Sequence, residues 1–200
     1  MEFFDLFPTT IFKGYNKVLA ESLLPLCNKY TSEETIKNCL DCDNFPSTLS
    51  AGYLEFQVNN NEPLVTEALQ YISDHCLKPF LAHRGIGLPG PIRPFGFFSS
   101  MEKGGYLRKH HHLDCYFSGI VYLEVGEDVP ELILHHPGNH IKFLHYPSDH
   151  QHIDNYLNRT CNVFKIKPET GMILLWDASI EHELNLKTND NPRKTFVFNL

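Results

Sequence analysis

From residue 93 onward the sequence breaks into short apolar runs at 95–99, 116–125, 131–135, 162–167, 172–176, 182–186 and 194–199. Stretches at 126–130, 168–171 and 188–192 carry the Gly, Pro, Asn and Asp that make turns. Runs this short, rich in branched and aromatic residues, form β-strands rather than helices. Seven strands following a helical segment predict a mainly β fold with flanking helices (α+β), its strands wound as a jelly roll.

Ahead of the strands, residues 1–92 are expected to be largely helical and to brace the 93–200 core within a single domain spanning 1–200. After a short extended stretch at 10–13, Val18, Leu19, Leu23, Leu26 and Tyr30 recur at helical spacing, with Pro25 as a point of kinking or breakage. Thr31 and Glu34 have the spacing of a capping box that opens a second short helix. Asn61, Glu62 and Pro63 start a longer one, with Val65, Leu69, Ile72 and Cys76 on its apolar face. A 200-residue chain with 42% hydrophobic residues can bury a substantial core.

Seventeen Lys and Arg against 24 Asp and Glu leave a net charge of −7. That balance disfavours non-specific attraction to nucleic acid or anionic membranes. Arg84, Arg93, Lys103, Arg108 and Lys109 remain candidates for a local basic groove. The opening residues lack a basic start followed by a long apolar run, and no segment approaches the roughly 20 apolar residues of a membrane span, so a cytoplasmic location is expected. Of six cysteines only Cys39 and Cys42 are closely spaced, and a single CxxC lacks the second pair of a structural zinc site.

The chemistry is concentrated in His112-Leu113-Asp114 and in His182, followed eleven residues later by Arg193. Along a strand alternate side chains share a face, so His112 and Asp114 project together. Two imidazoles and a carboxylate hold non-heme Fe(II) on one side and leave the other open. Arg193 and Thr195 share parity with Val197 and Asn199, facing the interior, where a guanidinium is costly unless it meets an anion. Tyr122 lies on the face of Asp114, positioned for a cosubstrate oxygen or for core packing. His110-x-His112 is a second way to draw two ligands from one strand, as in a cupin, although a cupin leaves Arg193 without a task. The 135–159 segment carries six of the twelve histidines, and its polar texture fits a lid, a second metal site or a plain loop.

Across 95–200 the chain resembles the 2-oxoglutarate and Fe(II)-dependent oxygenase superfamily. The resemblance rests on His112-Leu113-Asp114, on 171–176 leading to His182, and on Arg193-Lys194-Thr195 ahead of Phe198-Asn199. Leu6-Phe7-Pro8-Thr9-Thr10-Ile11 and 117–123 look like the small oxygenases of phages and marine bacteria. The resemblance implies a double-stranded β-helix core and iron held by His112, Asp114 and His182. It also implies 2-oxoglutarate held through its distal carboxylate by Arg193 and Thr195, and O2 as cosubstrate. Its usual outcome is hydroxylation, here of a small molecule or peptide side chain, with release of succinate and CO2. A cupin-like or non-catalytic jelly-roll module that binds metal or carboxylate is the alternative. Neither the substrate nor the oligomeric state is readable from the sequence.

Overall fold

The computed structural model describes residues 9–32, 50–58, 62–87, 94–137 and 163–200. The helix expected after Thr31, the Cys39 and Cys42 pair, Arg93, the first half of the Leu6–Ile11 motif and most of the His-rich 135–159 segment lie outside them.

The first strand, β1 (Phe12–Tyr15), leads directly into α1 (Lys17–Tyr30). Asn16 caps the helix, its side-chain oxygen accepting the Leu19 N–H at 2.9 Å. Pro25 does not break α1, which runs through it on the exposed side. Thr31 closes the helix, its backbone and hydroxyl both donating to the Cys27 carbonyl. Ala20, Leu23 and Cys27 form the buried stripe, with Leu19, Leu26 and Tyr30 at its margins. Val18, expected on that stripe, is 76% exposed because it falls off the edge of the arc.

Strand β2 (Ser50–Gln57) was not among the expected elements and adds a second strand to the segment expected to be largely helical. Helix α2 (Pro63–Ile72) then starts at Pro63 as expected. It continues through a π-helical turn (Ser73–Leu77) into α3 (Lys78–His83). Val65, Leu69, Ile72 and Cys76 are all buried, the wider turn keeping Cys76 on the inner face.

The remaining strands are β3 (Phe95–His110), β4 (Phe117–Val125), β5 (Leu132–His135), β6 (Val163–Ile166), β7 (Met172–Asp177), β8 (His182–Leu184) and β9 (Arg193–Asn199). Among the described residues they form one antiparallel sheet in the order β1-β7-β4-β9-β3-β8-β5-β6, with β2 also on β3. Strand β3 joins the two halves: residues 95–100 pair with β9, and Leu107 and His110 pair with β8. The sheet curls on itself as the expected jelly roll.

Alternation sorts side chains into two cores. Val121, Leu123, Ile173, Leu175, Phe196 and Phe198 face outward and are covered by the helices. Ile120, Tyr122, Met172, Leu174, Trp176 and Val197 face inward. Each fully buried aliphatic or aromatic side chain contributes about 1.5–3 kcal/mol, so both faces are tightly committed. Gly119 is required by this packing: a Cβ there would strike the Phe198 ring and the Leu174 carbonyl. Gly171, with φ +86°, turns the chain between 168 and β7 and donates to the Tyr122 carbonyl at 2.8 Å. Among the described residues no helix is long and apolar enough to cross a membrane.

Candidate metal centre

His110 ends β3, His182 starts β8, and the two are partners across the strand pair. His112 lies two residues beyond β3, its backbone N–H held by the Ala178 carbonyl at 2.9 Å. The three imidazoles converge, with a ligating atom of each within 4.8 Å of the others. Ring centroids are 4.3 Å apart for His110 and His182, and 5.2 Å for His112 and His182.

Neighbouring carbonyls orient two of the rings. His182 Nδ1 lies 3.0 Å from the Ile180 carbonyl, and His110 Nδ1 lies 2.8 Å from that of Arg108. A ring whose Nδ1–H donates to a carbonyl presents the lone pair of Nε2, the form in which histidine binds metals. Burial pushes the His182 imidazole down to about 3, with His110 beside it acting in the same direction. His112 is lowered to about 4 by burial and then by His110. Both rings are therefore neutral at pH 7 and need no deprotonation to ligate. Trp176 packs edge-on against His182 at 5.2 Å and closes one flank.

Asp114 is placed differently. Strand β3 stops at His110 and the chain bends at 113–114, leaving Asp114 exposed and outside the cluster of three. The structure thus brings His112 and His182 together with His110 and leaves the carboxylate on the surface.

Deeper along the same interior, Arg193 is 1% exposed, and its Nε and both terminal nitrogens have no hydrogen-bond partner among the described residues. Its guanidinium lies 5.4 Å from the centre of the Tyr122 ring. The Tyr122 hydroxyl is also buried without a partner. Burial raises its pKa while the Arg193 charge opposes that shift. Thr195 stands opposite Tyr122 on the neighbouring strand, its hydroxyl 2.5 Å from that of Ser99. Leaving a buried cation with five unmet donors is costly in a folded protein, so this position calls for an anion, and a planar carboxylate fits the guanidinium fork.

A family model described as 2OG-Fe(II) oxygenase matches residues 97–199. The chain belongs to that family. The oxygenase is therefore an oxidoreductase that uses Fe(II), 2-oxoglutarate and O2. Both halves of the site fit these groups: neutral imidazoles suit the metal, and the unpaired guanidinium suits a dicarboxylate. Among solved structures, a Pseudomonas putida prolyl-4-hydroxylase is 15% identical, covering 95% of this chain and 91% of its own, with a TM-score of 0.61. A prolyl hydroxylase from Trichoplax adhaerens, in complex with a hypoxia inducible factor peptide fragment, is 14% identical over 94% of this chain and 81% of its own, with a TM-score of 0.57. HygX from Streptomyces hygroscopicus, with nickel and 2-oxoglutarate bound, is 14% identical over 96% of this chain and 82% of its own, with a TM-score of 0.53. At such identities the likeness is one of fold. No curated protein matches the sequence.

Other features of the oxygenase site had little or no signal in the sequence. The Trp176 indole nitrogen is buried without a partner, and Ser118 donates to Asn199 at 2.6 Å inside the barrel. Lys187 is 2% exposed and donates to the Asn189 carbonyl at 2.6 Å. Asn189 in turn donates to the Asp128 carbonyl, tying the loop before Arg193 to the turn after β4. Of the residues suggested for a basic groove, Arg93 lies outside the described residues and the other four have partners. Arg84 pairs with Asp177, Lys103 with Asp190 and Lys109 with Glu181, while Arg108 stacks over Tyr106.

Proposed function

We propose that the oxygenase hydroxylates a small molecule or a peptide side chain while converting 2-oxoglutarate to succinate and CO2. His110, His112 and His182 hold Fe(II). Arg193 takes the distal carboxylate of 2-oxoglutarate, with Thr195 and Tyr122 as hydroxyl donors. The observation that carries this reading is the buried, unpaired guanidinium in the same barrel as three converging imidazoles. A cupin-like metal module also presents histidines from one strand, but gives no reason to bury Arg193.

Bound Fe(II) supplies the activation of O2 that is coupled to decarboxylation. The chain's own part is to aim ring nitrogens, to neutralise a carboxylate and to keep water out. Imidazole ligands bring no negative charge and leave the full metal charge in place, whereas a carboxylate ligand cancels part of it. Both this set and Arg193 therefore favour a doubly charged cosubstrate. The interior wall of Ile120, Leu174, Val197 and Trp176 lowers the local dielectric and strengthens each of these attractions.

Solved neighbours of this fold include one with a peptide fragment and one with hygromycin B, so both substrate classes are compatible with the barrel. The net charge of −7 disfavours a nucleic-acid substrate. The test is to admit O2 to the Fe(II)-loaded protein with 2-oxoglutarate and measure succinate. Wild type is expected to form it, and Arg193→Met to need at least tenfold more 2-oxoglutarate, the loss of a charge-assisted pair worth about 1.5–3 kcal/mol. Unchanged dependence on 2-oxoglutarate in Arg193→Met would remove the clamp from this account.

A further inference from the structure

The interior of the barrel is layered. Strands β7, β4 and β9 are hydrogen-bonded neighbours, and the register between them lines up their inward residues in rows. At the Arg193 end Tyr122 stands beside Thr195, whose other neighbour is Ser99 on β3. Two residues along, Leu174, Ile120 and Val197 form a purely aliphatic row. Two residues further, Trp176, Ser118 and Asn199 form a second polar row, each 2% exposed or less.

This second polar row sits at the metal centre. The Trp176 ring meets His182 edge-on at 5.2 Å. Just beyond it the Ala178 carbonyl anchors the His112 N–H, and the Ile180 carbonyl meets His182 Nδ1. The interior therefore runs from a guanidinium, past aliphatic side chains, to a polar row beside three imidazoles. A ligand that matches this order is polar at both ends and apolar between, as a dicarboxylate with a methylene chain is.

One group in the row has nothing to bond. The Trp176 indole nitrogen is buried without a hydrogen-bond partner among the described residues. An indole N–H can only donate, and burying it unmet is costly. Its cross-strand neighbour does not relieve it, because the Ser118 hydroxyl donates to the Asn199 side-chain oxygen at 2.6 Å. Packing against His182 asks for an aromatic ring and gives no reason for a nitrogen. Apart from His135, which faces Glu183, the unmet buried side-chain atoms among the described residues belong to Arg193, Tyr122 and Trp176. All three are on the inward face of adjacent strands, so a single ligand with an acceptor at each end answers them together.

We propose that Trp176 binds the cosubstrate, its indole N–H donating to the metal-side carboxylate of 2-oxoglutarate, opposite the end that Arg193 holds. The proposal rests on the dioxygenase reading above and adds a second fixed point, so that the keto acid is oriented as well as bound. A donor aimed at a carboxylate makes a charge-assisted bond, stronger than one between neutral groups.

The chain has one tryptophan, which makes its replacement specific. Trp176→Phe keeps a ring against His182, and benzothienylalanine incorporated at position 176 keeps the bicyclic shape with sulfur in place of the N–H. The Fe(II) complex of each protein is titrated anaerobically with 2-oxoglutarate and with 2-oxopentanoate, which has the same metal-side keto acid and no distal carboxylate, following the weak visible band. Both replacements are expected to weaken both keto acids by the same factor, about tenfold or about 1.4 kcal/mol, and to move the band maximum. Fe(II) affinity is expected to be unchanged, and Arg193→Met to weaken 2-oxoglutarate alone. Unaltered affinity for both keto acids in the benzothienylalanine protein overturns the proposal, whether or not Trp176→Phe folds. A loss confined to 2-oxoglutarate, or one that follows weaker Fe(II) binding, overturns it as well. Absence of the band in wild type overturns the dioxygenase reading instead.

Discussion

At the scale of single residues, Arg193 carries function at the expense of stability. Its three nitrogens lack hydrogen bonds in a site with 1% exposure, so in the absence of a carboxylate the folded state bears an uncompensated charge. Replacing such a charge with an apolar side chain of similar length stabilises a fold by about 1–4 kcal/mol. Arg193→Met is accordingly predicted to raise the melting temperature of the ligand-free protein while abolishing the further rise that 2-oxoglutarate gives wild type. Calorimetry with and without 2-oxoglutarate measures both effects. The inward parity of Arg193 and Thr195 was legible because β9 is an unbroken strand and period-two alternation holds along it. The same rule was less informative at the histidine run. It places His110 with His112 as readily as His112 with Asp114, and it applies only while the strand continues. Strand β3 ends at His110, so alternation does not extend to 114.

Two buried thiols make a second prediction at this scale. Burial pushes Cys27 and Cys76 each up to about 12 from the usual 9.0. A folded-state value above the unfolded one means stability is fully present below pH 9 and is lost as pH rises from 9 toward 12. Each thiol contributes a loss of about 1.4 kcal/mol per pH unit in that window. Denaturant melts at pH 8, 9.5 and 10.5 measure it. At pH 8 both thiols should resist alkylation, while Cys115, half-buried and only raised in pKa, reacts first among the described cysteines.

At the scale of elements, β4, β7 and β9 were legible because each is buried on both faces and reads as a continuous apolar run. Strand β3 was legible only over its first five residues. Beyond them Glu102, Lys103, Gly104 and Gly105 interrupt the apolar pattern, although the backbone stays extended to pair with β2 and β8. Strand β2 does carry a period-two signal, Leu54, Phe56 and Val58 alternating with Glu55 and Gln57, but its pairing with β3 is a long-range contact that no local pattern encodes. The β4–β9 contact offers a direct test of the packing. Gly119→Ala forces the Phe198 ring and the Leu174 carbonyl apart. It is predicted to cost about 1–3 kcal/mol of unfolding free energy, as overpacking of a tight core does. Urea melts measure it; Ser118→Ala, next to Gly119 but on the opposite face of β4, removes only the bond to Asn199.

At the scale of the whole molecule, the sheet's curl does what no local pattern encodes: it sets His182, from near the chain's end, against His110 from its middle. It also brings the two end strands, β1 and β6, to either side of an open seam. The family signature was legible from His112, His182 and Arg193. The convergence of His110 with them was open only as the His110-x-His112 alternative, because it depends on where β3 ends and on the Ala178 carbonyl that anchors His112. The most direct measurement is anaerobic titration of wild type, His110→Ala and Asp114→Ala with Fe(II) and 2-oxoglutarate, following the weak visible band of the chelated complex. The three-imidazole account predicts the band in wild type and Asp114→Ala and its loss in His110→Ala. A band that survives in His110→Ala and disappears in Asp114→Ala would contradict it.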